Sequence, residues 1–163
     1  ARRLRFSLSH TDGLAACIVA SDMDVGVDVE HTGDGRAILE AAEQFLSSSE
    51  LADCMRLPPE RVPGRLYETW TLKEALAKAC GVGLRFPLSA VAVRRSPYGD
   101  LRVTFDLRIA DDAESWQFYQ SAVTSTHQLA AAIRHGGAGN VSVVRRVLSP
   151  ADMIEEIQIG FDG

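Results

Sequence analysis

Residues 3–8 alternate polar and apolar side chains, which predicts a strand that ends in a turn at Ser9-His10-Thr11-Asp12-Gly13. Residues 14–20 form a short run of small and apolar residues and predict a buried strand. After a turn over 21–24, Val25-Gly26-Val27-Asp28-Val29-Glu30 alternates again, and a hairpin is expected to set this acidic strand beside the small-residue strand. Helical spacing takes over at 36–46, with Ile38, Ala41, Ala42 and Phe45 on one face. Ser47-Ser48-Ser49-Glu50 is a start signal for a second helix running to Leu57, which Pro58-Pro59 stops. The longest predicted helix covers 66–80, has Leu66, Trp70, Leu72, Ala75, Leu76 and Ala79 as its apolar stripe, and ends at Gly81 and Gly83. Four strands follow at 88–94, 101–109, 116–123 and 127–134, the first two joined by a turn at 96–100. Gly136-Gly137-Ala138-Gly139-Asn140 breaks the chain, and a last helix is predicted over 150–157.

A chain of 163 residues makes one ordinary domain or two small lobes with a shared core. Two lobes are favoured by a faint repeat: Leu14-Ala15-Ala16-Cys17-Ile18 matches Leu129-Ala130-Ala131-Ala132-Ile133, and such small-residue strands let a helix pack closely on a sheet. A net charge of −5 argues against a nucleic-acid partner, and the doublets Arg94-Arg95 and Arg145-Arg146, like Arg2-Arg3-Leu4-Arg5, read as solvated surface. Cys17, Cys54 and Cys80 have no CxxC spacing, which excludes a disulfide framework or a cysteine-rich zinc site and predicts a reducing, cytoplasmic setting. No apolar run approaches the ~18 residues of a membrane span, and no export leader is visible. A start at Ala1, almost directly on a strand, leads to the expectation of a domain cut from something longer.

Side chains on a strand alternate between faces, so Val25, Val27 and Val29 should face a core while Gly26, Asp28 and Glu30 face the other way. Asp28 and Glu30 then lie roughly 7 Å apart and can bracket one cation, with Gly26 expected to leave room beside them. A D-x-E pair on an edge strand is common. The helix Trp70-Thr71-Leu72-Lys73-Glu74-Ala75-Leu76-Ala77-Lys78 adds a third carboxylate and two lysines. Glu74 and Lys78, four apart on one helix face, are either a solvent salt bridge or a metal ligand or base with a cation beside it. A hard cation such as Mg²⁺ takes one or two carboxylates together with substrate phosphates, so the set points to phosphate-transfer chemistry. His10, between Ser9 and Thr11 in the predicted turn, is either solvated or a phosphate donor. His31, His127 and His135 have no metal-type spacing. There is no GxxxxGK[ST] phosphate loop, and the chain is not itself a carrier protein because it lacks an Asp-Ser-Leu acceptor.

Val25 to Glu30, the Trp70 to Lys78 helix and the preceding Ser9-His10 together resemble the 4′-phosphopantetheinyl transferases, in particular the larger pseudo-dimeric, surfactin-synthetase-activating type. Phe45-Leu46-Ser47 and Gly83-Leu84-Arg85-Phe86-Pro87-Leu88 look like that family's intervening helix and exit segment, and the resemblance runs from about Phe6 to about His135. It implies an α+β fold, antiparallel strands packed on a long helix, in two related lobes with the first largely absent: 1–24 the end of an N-terminal lobe, 25–140 a C-terminal catalytic lobe, 141–163 an extension that matches nothing. It also implies Mg²⁺-dependent transfer of 4′-phosphopantetheine from coenzyme A to a serine of an apo acyl or peptidyl carrier protein, with adenosine 3′,5′-bisphosphate leaving. Mg²⁺, for which Mn²⁺ may substitute, would be held by Asp28, Glu30 and Glu74. Glu74 would deprotonate the serine and Lys78 would stabilise the leaving group. Lys73 would hold phosphate, and His10 would contact the 3′-phosphate, with Ser9 beside it in the coenzyme A site.

The partners implied are coenzyme A and the carrier protein, with no nucleic acid and no membrane. Larger-type members carry a whole lobe ahead of the Ser-His pair, whereas nine residues precede His10 here. The expectation is therefore an oligomer, a first lobe supplied by another chain, or excision from a polyketide or fatty-acid megasynthase. The alternative is a non-catalytic lobe or subunit of such a transferase, inactive without a partner.

Overall fold

The computed structural model describes residues 2–149 other than Pro97 and Ala138. The helix predicted over 150–157 lies outside the described residues. Strands β1 (Leu4–Thr11) and β2 (Leu14–Ser21) form an antiparallel hairpin. Its loop is only Asp12 and Gly13, with Gly13 left-handed at φ 75°. Ser9 and His10 therefore belong to the strand, where a longer turn was expected. Aspartate-glycine needs no more than two residues to reverse a chain, so the ladder runs on to Thr11.

The acidic strand β3 (Asp24–His31) does not pair with β2. It joins β6 (Trp116–Thr124) and β7 (His127–Arg134) in an antiparallel sheet ordered β3-β7-β6, with Asp28 opposite Ala130. The outer edge of β3 instead meets side chains. The amides of Val27, Val29 and His31 donate to Ser7 Oγ, Ser9 Oγ and Thr11 Oγ1 of β1 at 3.2, 3.2 and 3.3 Å. Alternate residues of β1 thus serve as acceptors in place of a backbone ladder, and the edge amides are satisfied without a sheet bond.

Helix α1 covers Arg36–Phe45 and α2 covers Ser48–Cys54. Ser47 and Glu50 form a reciprocal capping box on α2, as the Ser-x-x-Glu spacing implies. Helix α3 spans Val62–Cys80, one turn earlier than predicted, because Pro63 occupies its first turn, where a missing N–H costs nothing. A 3-10 turn at Leu88–Ala90 replaces the start of a predicted strand, and the short hairpin of β4 (Val91–Arg95) and β5 (Leu101–Phe105) follows. Among the described residues, no helix is long and apolar enough to cross a membrane.

The long helix is the hub of the core. Leu72, Ala75, Leu76 and Ala79 pack with Ala130 and Ala132 of β7, Trp116 of β6, Val91 and Val103. Nearer its start, Leu66 packs with Ile38, Ala42, Phe45, Leu46 and Cys54. The residues of the predicted repeat fall in β2 and β7, the second strands of two antiparallel hairpins, where Leu8 opposes Cys17 and Phe118 opposes Ala132. Helix α3 covers the Ala130 and Ala132 face of β7, while Leu4, Phe6, Leu8 and Val19 lie exposed on the corresponding face of β1–β2. The α+β architecture, with antiparallel strands against a long helix, is as the sequence predicts.

Candidate functional site

Gly26 decides how close α3 comes to β3. A Cβ placed there would stand 1.9 Å from the Ala75 carbonyl oxygen and 2.5 Å from the Ala79 amide nitrogen. The expectation that Gly26 leaves open room beside the acids is therefore corrected: the backbone of α3 fills that space. Close approach then brings the outward side chains of β3 against one side of the helix, with Glu30 at Trp70 and Asp28 at Lys78.

Asp28 is buried, and its Oδ1 accepts from Lys78 Nζ at 2.7 Å and from Ser9 Oγ at 3.0 Å. Lys78 Nζ also donates to Ser9 Oγ at 3.0 Å. The Ser9 hydroxyl thus uses its one proton on Asp28 and both lone pairs on Lys78 and the Val29 amide. The other Asp28 oxygen, Oδ2, is buried without a partner among the described residues. Glu30 accepts a 2.9 Å hydrogen bond from the Trp70 indole, whose ring stands edge-on to Phe45. The salt bridge considered between Lys78 and Glu74 is not formed, because Lys78 reaches Asp28 instead.

Burial is the main reason that the carboxyls of Glu30 and Glu74 titrate above their ordinary range. The charge of Asp28 adds to the rise in both, and Lys78 opposes it. For Glu30 the Trp70 hydrogen bond offsets part of the effect, and for Glu74 the charge of Glu30 adds a little more. Asp28 lies near enough to Glu30 and Glu74 for its charge to act on both, and its own counter-charge is Lys78 at 2.7 Å. Among the described residues no group of three or more His, Cys, Asp or Glu side chains stands close enough together to hold a metal ion as they are placed. The unpartnered Asp28 Oδ2 and the raised Glu30 and Glu74 nevertheless suit a hard divalent cation, which would supply the counter-charge that Lys78 alone does not.

The structure brings together Ser9, Asp28, Glu30, Glu74 and Lys78, and adds Trp70. It does not bring Lys73 to them. The Lys73 ammonium has no solvent exposure and donates to Glu50 Oε2 at 2.6 Å and to the carbonyls of Phe45 and Leu88 at 2.7 and 3.1 Å. Burial pushes Lys73 down from its ordinary value, and Glu50 partly restores it. The expected phosphate-binding role of Lys73 is corrected on that ground: all three of its protons are taken. His10 is exposed and, one residue from Ser9, points to the opposite face of β1. Sequence reasoning missed the buried Glu50 beyond its cap, and the Trp70 to Glu30 bond. The Ser-x-x-Glu spacing shows the cap, but no local signal shows a partner 23 residues away.

Residues 24–133 match the family model described as the 4′-phosphopantetheinyl transferase superfamily. The chain is 29% identical over 133 residues to the 4′-phosphopantetheinyl transferase psf-1 of Bacillus pumilus, covering 82% of this chain and 54% of that protein. The chain thus spans about half the length of the curated relatives it matches. Its fold is similar to the holo-[acyl-carrier-protein] synthase of Neisseria meningitidis, with a TM-score of 0.56 and 18% identity over 68% of this chain and 95% of that one. It is also similar to the Helicobacter pylori synthase in complex with coenzyme A, with a TM-score of 0.53 and 20% identity over 66% of this chain and 96% of that one.

Proposed function

From the fact that this chain belongs to the 4′-phosphopantetheinyl transferase superfamily, we propose that it transfers 4′-phosphopantetheine from coenzyme A to a serine hydroxyl of an apo acyl or peptidyl carrier protein. The products are the holo carrier protein and adenosine 3′,5′-bisphosphate. The observation that carries this reading is the Ser9–Asp28–Lys78 cluster beside the crowded carboxyls of Glu30 and Glu74, with one buried Asp28 oxygen still unpaired.

Asp28, Glu30 and Glu74 would hold Mg²⁺, which when bound neutralises charge on the coenzyme A pyrophosphate. Glu74, its basicity raised by burial and by neighbouring carboxylates, takes the proton of the carrier serine at its carboxylate, directly or through a water. The serine oxygen forms its bond to the phosphorus that bears the pantetheine arm, and the bond from that phosphorus to the bridging pyrophosphate oxygen breaks. Lys78, partly exposed, places its ammonium near the leaving bisphosphate and stabilises the charge that develops there. Ser9 holds Lys78 and Asp28 in register, and His10 is assigned to the 3′-phosphate. Catalysis of this kind is mainly positioning and charge neutralisation.

The test is intact-protein mass spectrometry of an apo carrier protein incubated with this chain, coenzyme A and Mg²⁺. A gain of one phosphopantetheine that EDTA blocks supports the reading. Because the chain spans about half of its relatives, a second reading is a lobe that binds coenzyme A but needs a partner to turn over. Calorimetric binding without transfer would select it. Neither binding nor transfer would refute both.

A further inference from the structure

Lys73 and Glu50 form the most deeply enclosed ion pair among the described residues, and the reaction proposed above uses neither. The Lys73 ammonium reaches the last residue of α1 through the Phe45 carbonyl and the turn before β4 through the Leu88 carbonyl. Glu50 is as fully engaged. Its Oε2 also accepts from the amide and hydroxyl of Ser47 at 2.7 and 2.8 Å, and its Oε1 accepts from the Val93 amide of β4 at 2.8 Å. One pair therefore ties α3 to α1, α2 and β4.

It does so at the residue immediately before Glu74. At the residue immediately after, the Ala75 carbonyl lies against Gly26 of β3. Glu74 is clamped between a polar contact on one side of the helix and a steric one on the other. Successive helical residues point about 100° apart, so a small roll of α3 about its axis would loosen one of these contacts and swing the Glu74 carboxylate away from Asp28 and Glu30.

We infer that Lys73 and Glu50 are positioning residues: they fix the roll of α3 so that Glu74 meets the acids of β3, and they make no contact with coenzyme A. The inference rests on the function proposed above. Stabilisation alone is a poor account of such a pair, since well-packed apolar side chains often replace a buried ion pair without loss. What apolar side chains do not reproduce is the set of directed bonds to Phe45, Leu88, Ser47 and Val93.

The test compares wild type with the double variant Lys73→Met/Glu50→Leu, which removes both charges together. Glu74→Gln marks the full loss. Three quantities are read: the thermal midpoint, the affinity of the free protein for Mg²⁺ by calorimetry, and kcat with the KM for the carrier protein. The expected result is a folded double variant whose Mg²⁺ affinity and kcat each fall at least tenfold while the carrier KM stays within twofold. A folded double variant with wild-type Mg²⁺ affinity and kcat overturns the inference and leaves the pair purely structural. If the double variant does not fold, Glu50→Gln is read in the same way, because it keeps the side-chain shape and an acceptor for Val93. Wild-type protein that neither binds Mg²⁺ nor transfers would refute the function itself, and the inference with it, before any variant is compared.

Discussion

Adding a single methyl group at Gly26 tests how tightly the site depends on the approach of α3 to β3. The Cβ of Gly26→Ala would stand 1.9 Å from the Ala75 oxygen and 2.5 Å from the Ala79 nitrogen. Both are main-chain atoms, so no rotamer change relieves the clash. Restoring ordinary contact requires α3 to retreat by about 1.5 Å in a close-packed interior. Overpacking of this kind typically costs about 1–3 kcal/mol, and a main-chain clash belongs at the upper end. At about 2–4 °C per kcal/mol for a chain of this size, the midpoint should fall by about 6–12 °C. Glu74 precedes Ala75 and moves with it, and a misplacement of about 1 Å in a catalytic group costs on the order of 100-fold in rate. Differential scanning fluorimetry reads the first effect and mass-spectrometric transfer to an apo carrier protein, at a temperature where the variant is folded, reads the second. A Gly26→Ala protein with wild-type midpoint and turnover would refute the reasoning.

Ser9→Ala strips a partner from Asp28, Lys78 and the Val29 amide at once. A buried group left unpaired costs about 1–3 kcal/mol, so both the midpoint and the transfer rate should drop. Glu74→Gln should abolish transfer yet stabilise the protein at neutral pH. The Glu74 carboxyl keeps its proton in the folded state after the unfolded chain, near 4.5, has released it, so stability falls as pH rises through that window and the penalty remains above it. Melting curves across pH should show the advantage of Glu74→Gln at pH 7 and its disappearance below about pH 4. Trp70→Phe removes the donor to Glu30 while keeping an aromatic ring against Phe45. It should weaken Mg²⁺ binding and abolish the Mg²⁺-dependent change in tryptophan emission expected of the wild type.

Much of the site was legible because its signals are local. Alternation along residues 25–30 placed Asp28 and Glu30 on one face, and the four-residue step from Glu74 to Lys78 placed both toward β3. The same periodicity contains the correction for Lys73. At about 100° per residue, Lys78 lies about 40° from Glu74 around the helix but about 140° from Lys73, so Lys73 and Lys78 do not share a face. Motif adjacency had suggested a shared role where geometry separates them. The setting of His10 differs from the predicted turn for a related reason. Once the strand runs on to Thr11, alternation alone turns His10 away from Ser9. What the sequence did not reveal is long-range. The pairing of β3 with β7 instead of β2, and of Glu50 with Lys73, joins residues far apart in the chain, and no local pattern records which distant partner a strand or a charge selects.

The hydroxyl rungs between β1 and β3 make assembly of the site sensitive to hairpin alignment. A one-residue slip of β1 would present Leu8 or His10 to the edge of β3, leave the amides of Val27, Val29 and His31 without acceptors, and withdraw the hydroxyl that joins Asp28 to Lys78. The bonds that seal an exposed sheet edge are therefore also a proofreading step. The three amides should gain protection from hydrogen exchange together, and only in molecules whose Ser9 has reached its place between Asp28 and Lys78.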